Sequence, residues 1–173
     1  MRTIMLGLAA AGLLAGCSGD TAPKPEEEVQ AAALQPGEYA ITAKIDGIHS
    51  TDKTTPAIKA KAGDPPTNRR ACVAADGIAA EAFADAGDKC TTSSSYLRNG
   101  RLSLQLSCSR PGRGQVMQLA DGNFKADSFE AKLTTATYFA GPGDYAMTRT
   151  LTGKRVGECP AASAKSETGK AKG

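Results

Sequence analysis

Hydrophobic and polar residues alternate with a period of two along several stretches of this chain, and a strand with one buried face is the element such alternation builds. From Glu38 to Asp46, the apolar Tyr39, Ile41, Ala43 and Ile45 alternate with the polar Glu38, Thr42, Lys44 and Asp46, apart from Ala40, and Pro36-Gly37 opens the run. Leu102, Leu104, Leu106 and Cys108 share one face of a second run, with Ser103, Gln105 and Ser107 on the other. Asn99-Gly100, both tolerant of positive φ, is a hairpin signal joining Thr91–Leu97 to Arg101–Ser107. Asp121-Gly122 is a second such signal, between Gly114–Leu119 and Asn123–Tyr138. A short strand is expected at Asn68–Val73, and a last one, marked by Tyr145, Met147 and Leu151, ends near Cys159-Pro160. His49 to Pro66 is polar and proline-bearing and reads as a loop. Only one stretch carries a helical stripe: Asp76 caps a run to about Ala86 in which Ile78, Ala79, Ala82 and Phe83 share a face, with Gly87 following.

These elements amount to roughly seven antiparallel strands and one short helix. Strands joined by tight turns make a meander, and meanders curl because sheets twist. The expected fold is mainly β: an antiparallel meander forming a strongly curled sheet or incomplete barrel, with the helix over one opening.

The two ends of the chain have a different texture. Residues 1–17 begin with the basic Arg2, continue through the apolar Ile4–Ala15, and close on Leu13-Leu14-Ala15-Gly16-Cys17. An apolar run of about a dozen residues is too short to span a bilayer, which takes roughly 20. A basic start, a short apolar run and small residues mark a secretory signal. The terminal cysteine matches a bacterial lipobox, so Cys17 is the expected lipidation site and acylated N-terminus. Several acyl chains anchor firmly, because each buried methylene adds about 0.8 kcal/mol. Ser18 rather than Asp after that cysteine points to the outer membrane, facing the periplasm. Residues 18–33 read as a disordered linker, with Pro23, Pro25 and the Glu26–Glu28 run too polar to pack. Residues 161–173, rich in Ala, Lys and Ser, read as a disordered tail, and residues 34–160 as one folded domain.

Composition removes several functions. The formal charge of +3 falls to +2 once Arg2 leaves, too weak and dispersed for nucleic acid. Aromatic residues make up 5% of the chain and tryptophan is absent, so a stacking platform for bases or sugars is poorly supplied. No two cysteines are close in sequence and the single histidine is His49, so no metal or other cofactor is expected.

Four cysteines remain in the domain, and an even number in an exported protein reads as disulfides. Three pairings are possible. Folding about Asn99 brings Cys90 opposite Cys108, each nine residues away, which leaves Cys72 with Cys159 to tie an early strand to the last one. Each bridge is worth roughly 2–4 kcal/mol.

Several segments together resemble domain-of-unknown-function family 3617, a family of small exported proteobacterial proteins. Leu34-Gln35-Pro36-Gly37-Glu38-Tyr39 is similar to its Pro-Gly-aromatic opening, with Tyr39 in place of the common tryptophan. Ala71-Cys72-Val73 resembles its cysteine strand, and Cys90 to Cys108 around Asn99-Gly100 its central hairpin. Lys154-Arg155-Val156-Gly157-Glu158-Cys159-Pro160 is similar to its ending. The methionine-rich stretches frequent in that family are absent. The resemblance implies a fold and a cysteine pairing, but no activity.

Catalytic chemistry finds little to work with. Nucleophilic catalysis needs a base beside a Ser or Cys, and His49, next to Ser50 and Asp52, reads as a solvated loop residue. Asp85 and Asp88 read as helix-end capping. The Arg110–Gly114 and Gly141–Asp144 segments read as turns, since neither fits a strand–loop–helix phosphate cradle. Arg69-Arg70 and Lys154-Arg155 are expected to converge beside a Cys72–Cys159 bridge as a charged sheet edge. The expected function is therefore a non-enzymatic, membrane-anchored binding module for a small apolar ligand, with Tyr39, Ile41, Leu102, Leu104 and Leu106 facing it. The alternative is an envelope protein-interaction or inhibitor module: small disulfide-bonded envelope lipoproteins include lysozyme inhibitors, and Ser93-Ser94-Ser95-Tyr96 is similar to a Ser-rich, Tyr-bearing inhibitory loop, although it reads better as a strand with Thr92, Ser94 and Tyr96 on one face.

Overall fold

The computed structural model describes residues 33–74 and 77–160. The lipobox with Cys17, residues 18–32 of the linker, Asp76 and the tail from residue 161 lie outside the described residues.

Eight strands form: β1 (Gly37–Ser50), β2 (Thr67–Ala74), β3 (Gly77–Ile78), β4 (Lys89–Arg98), β5 (Arg101–Arg110), β6 (Gly114–Lys125), β7 (Ser128–Phe139) and β8 (Tyr145–Gly157). They make one sheet in the order β3-β2-β1-β8-β7-β6-β5-β4, with antiparallel neighbours throughout. Strands β4 to β8 are the expected meander. Pairing of β8 with β1 then carries the sheet back to the start of the chain and curls it into a nearly closed barrel. At the seam, β3 meets β4 closely enough that a Cβ on Gly77 would lie 3.7 Å from both Leu97 and Ser95.

Period two holds along the walls. Tyr39, Ile41 and Ala43 of β1, Leu102, Leu104, Leu106 and Cys108 of β5, Val116 and Ala120 of β6, Phe129, Ala131 and Leu133 of β7, and Leu151 of β8 point inward and are buried together. Residues 34–36 close the apolar end: the Gln35 amide donates to the Ala126 carbonyl at 2.8 Å, and the Tyr39 hydroxyl donates to the Gln35 carbonyl at 2.8 Å.

Three local expectations are corrected. The helix from Asp76 is only a 3-10 turn, Ala80–Ala82. Gly77 and Ile78 pair with Ala74 and Val73 instead, and an isolated helix of about ten residues is too marginal to resist such pairing. The following segment still covers the opening, with Ala82 and Phe83 fully buried and the Phe83 ring 6.3 Å from that of Phe129. Asp121-Gly122 is not a turn, because β6 runs through it to Lys125 and the chain reverses at Ala126-Asp127. Gly122 is there for close approach: a Cβ would overlap the Glu130 carbonyl. His49 lies in β1, opposite Ala146, rather than in a loop.

Candidate functional site

Both cysteine pairs stand at disulfide distance, Cys72 with Cys159 and Cys90 with Cys108. Cys90 is directly opposite Cys108 in the β4–β5 ladder. Asn99 and Gly100 take φ of 53° and 70°, the positive values their turn requires.

The five residues expected to face a ligand do point into the barrel. There they pack on one another and on the rest of the core, with 0–2% of each exposed. None of them lines either of two surface clefts. One, of about 770 Å³, lies against β6, β7 and β8 and includes Asp121, Asn123, Glu130, Lys132 and Lys154. The other, of about 280 Å³, lies at the seam beside Leu34, Val73, Ser95 and Leu97.

The basic pairs are split rather than merged. Arg70 and Lys154 flank Ala40 from its two sides, and Arg70 is paired with Glu38 at 2.7 Å. Arg69 turns to the Ala84 carbonyl at 2.5 Å, while Arg155 turns to the Pro36 carbonyl and Glu158. A bulge between Thr92 and Ser94 also corrects the face of β4: Thr92 stands opposite the inward Leu106, and Ser94 opposite the outward Gln105.

The alternation along the sequence does not show that one end of the interior is polar. Toward the β5–β6 turn the interior becomes polar. Gln118 of β6, Thr135 and Thr137 of β7 and Arg149 of β8 occupy inward positions and are buried. Thr135 lies opposite Gln118 in the ladder, and Arg149 donates to the Thr135 hydroxyl at 3.4 Å. The segment over the opening supplies two carboxylates. Asp85 accepts from Arg149 at 2.5 Å and from Arg110 at 3.3 Å; Asp88, fully buried, accepts two bonds from Arg110 at 2.7 and 2.8 Å. These aspartates therefore clamp the segment to the wall and do not cap a helix. Arg110 also donates to the Tyr145 hydroxyl at 3.0 Å. The Asp88 bonds hold the Arg110 guanidinium above its ordinary value despite its burial. Burial pushes the Tyr145 phenol up, against the opposing Arg110 charge. Burial and then the Arg149 charge hold Arg69 below its ordinary value. Among the described residues, Nε of Arg69, Nε of Arg149 and both amide atoms of Gln118 are buried with no hydrogen-bond partner.

A polar residue in the inward phase of a strand was the available signal. Gln118 falls between Val116 and Ala120, and Arg149 between Met147 and Leu151. No group of three or more His, Cys, Asp or Glu among the described residues is placed to hold a metal.

No curated protein and no solved structure matches the chain. A family model does, described as "Protein of unknown function (DUF3617)" and covering residues 34–159. Its span begins at the segment that closes the apolar end of the barrel, ends at the cysteine bonded back to β2, and takes in every strand between, so the chain belongs to this family.

Proposed function

We propose that the chain is a non-catalytic recognition domain of the cell envelope, lipid-anchored through Cys17 on the periplasmic face of the outer membrane, that engages a protein partner with its outer surface. The filled apolar interior carries this reading. A chamber for a ligand, at least about 300 Å³, leaves its lining accessible, whereas Tyr39, Ile41, Leu102, Leu104 and Leu106 are 0–2% exposed. The Tyr39 hydroxyl is already committed to the Gln35 carbonyl. The outside, by contrast, offers the 770 Å³ concave face and the polar edge strand β4, where Tyr96 is 47% exposed. Among the described residues, Asp85 and Asp88 are committed to arginines, and His49 is exposed on a strand.

Native mass spectrometry of the full mature chain, exported so that its disulfides form, tests the reading against that of a carrier for a small apolar ligand. The expected result is a chain with no organic-extractable adduct, unchanged by Leu104→Ala. An adduct that is lost on denaturation and depleted by Leu104→Ala would overturn the proposal in favour of the carrier.

A further inference from the structure

Under the segment over the opening, three guanidiniums, of Arg69, Arg110 and Arg149, meet two carboxylates, of Asp85 and Asp88, while a third carboxylate, of Asp144, is committed at the rim to the Thr137 hydroxyl and the Phe139 amide. Arg69 is close enough to feel the charges of both Arg149 and Asp85. The surplus lies largely below the surface: the Arg149 and Arg110 side chains are 8% and 18% exposed, and Arg69 is half-buried. An uncompensated charge at such depth is strongly unfavourable unless a counter-charge reaches it. Hydrogen bonding is unbalanced in the same place. Arg69 Nε and Arg149 Nε are donors without acceptors among the described residues, and Gln118, 1% exposed, has its whole amide unpartnered there. Buried polar groups of native proteins are nearly always satisfied, and each exception calls for an occupant or a function.

We propose that the interior beside Arg149, Thr135 and Gln118 is a binding site for one small monovalent anion, a halide or the carboxylate of a one- or two-carbon acid. Such an anion balances the third guanidinium and accepts from Arg149 Nε and the Gln118 amide. Thr135 and Gln118 are 0% and 1% exposed, so the walls of the site are closed and must part to admit even one small ion. It lies under the segment carrying Asp85 and Asp88, whose bonds to Arg149 and Arg110 must part for the anion to enter. Three of the four unpartnered atoms, Arg69 Nε, Arg149 Nε and Gln118 Nε2, are donors, which calls for an anion rather than a cation. This site is separate from the outer recognition surface and does not depend on it.

The test is thermal unfolding of the full mature chain, titrated with sodium chloride or sodium acetate while a bulky sulfonate salt keeps ionic strength fixed. The expected result is a saturable rise in Tm of about 5 °C, the linkage effect of a ligand that binds only the folded state. Gln118→Glu supplies the negative charge from within and is expected to start at the raised Tm with no further response. Gln118→Leu removes the amide at similar volume and is expected to fold while responding at least tenfold more weakly. A Tm that does not saturate with either anion, or a full response kept in both variants, would overturn the proposal and leave these atoms to ordered water.

Discussion

Cys90 faces Cys108 across the β4–β5 ladder with their Cα atoms 4.0 Å apart, and it does so through a bulge three residues away. Counted from the two-residue turn, where Arg98 pairs with Arg101, a strict ladder would set Cys90 against Ser109. A one-residue slip would also turn the cysteine to the other face of the sheet. Ser93, the extra residue between Thr92 and Ser94, absorbs that slip. Deleting Ser93 is therefore expected to straighten β4 while leaving Thr92 opposite Leu106 and Cys90 opposite Cys108. Non-reducing peptide mapping of the deletion variant should still recover the Cys90–Cys108 peptide; linkage of Cys90 to another cysteine would show that the bulge does not set this register.

The same ladder shows what the sequence could and could not convey. The cysteine pairing was legible by folding about Asn99, but a count centred on that residue succeeds only because the bulge makes up the missing step. The alternation on β1 and β5 was legible because the inward residues from Tyr39 to Ala43 and from Leu102 to Cys108 are all apolar or cysteine. It failed on β6 and β8, where Gln118 and Arg149 take inward positions and break the apolar signal that marks a core face. Asp121-Gly122 misled because a glycine needed for close backbone approach has the same letter as one needed for a turn. The Ala80–Ala86 segment misled because its alanines suit a helix locally, while the cost of leaving the barrel seam open is a property of the whole sheet.

Arg149 and Asp85 are 64 residues apart in sequence and joined by a 2.5 Å bond, with side chains 8% and 16% exposed. Asp85→Leu leaves the Arg149 charge buried without its partner, and losing one member of a buried pair costs about 3–5 kcal/mol. The expected loss is about 3 kcal/mol, at the low end because both groups retain some solvent. Arg149→Met combined with Asp85→Leu should cost clearly less than the sum of the single changes, since the pair is then replaced by apolar volume. Urea unfolding of the four proteins closes the cycle, and additive losses would show that the bond couples nothing.

Two glycines separate backbone collision from side-chain collision. A Cβ at Gly153 would overlap the Phe129 ring, whereas one at Gly122 would overlap the Glu130 carbonyl and the Ala131 Cα. Overpacking of a filled core costs about 1–3 kcal/mol, so both Gly153→Ala and Gly122→Ala should destabilise by at least about 1 kcal/mol. Only the first has a neighbour that can be trimmed. Phe129→Leu should therefore cost much less in the Gly153→Ala background than in the wild-type chain, and should bring no such relief to Gly122→Ala. Equal relief of both would mean that the sheet simply relaxes around either residue.

Asp52 ties the loop after β1 to the turn before β8. It accepts from the Thr54 hydroxyl and amide at 2.7 and 2.9 Å, and from the Gly143 and Asp144 amides at 2.8 and 3.1 Å. These bonds, the Thr54 hydroxyl first, hold its carboxyl well below the usual carboxylate range. A carboxyl depressed by folding releases its proton more readily in the folded chain. Its contribution is therefore complete above the unfolded value of about 4 and is lost as pH falls through the lower folded value. Asp52→Asn cannot lose a charge, so the wild-type advantage over this variant should be level from about pH 7 to about 5 and shrink below about 4. Urea midpoints for both proteins across that range measure the difference directly. An advantage that stays constant into strong acid would mean that Asp52 acts through its shape and acceptor atoms alone, without its charge.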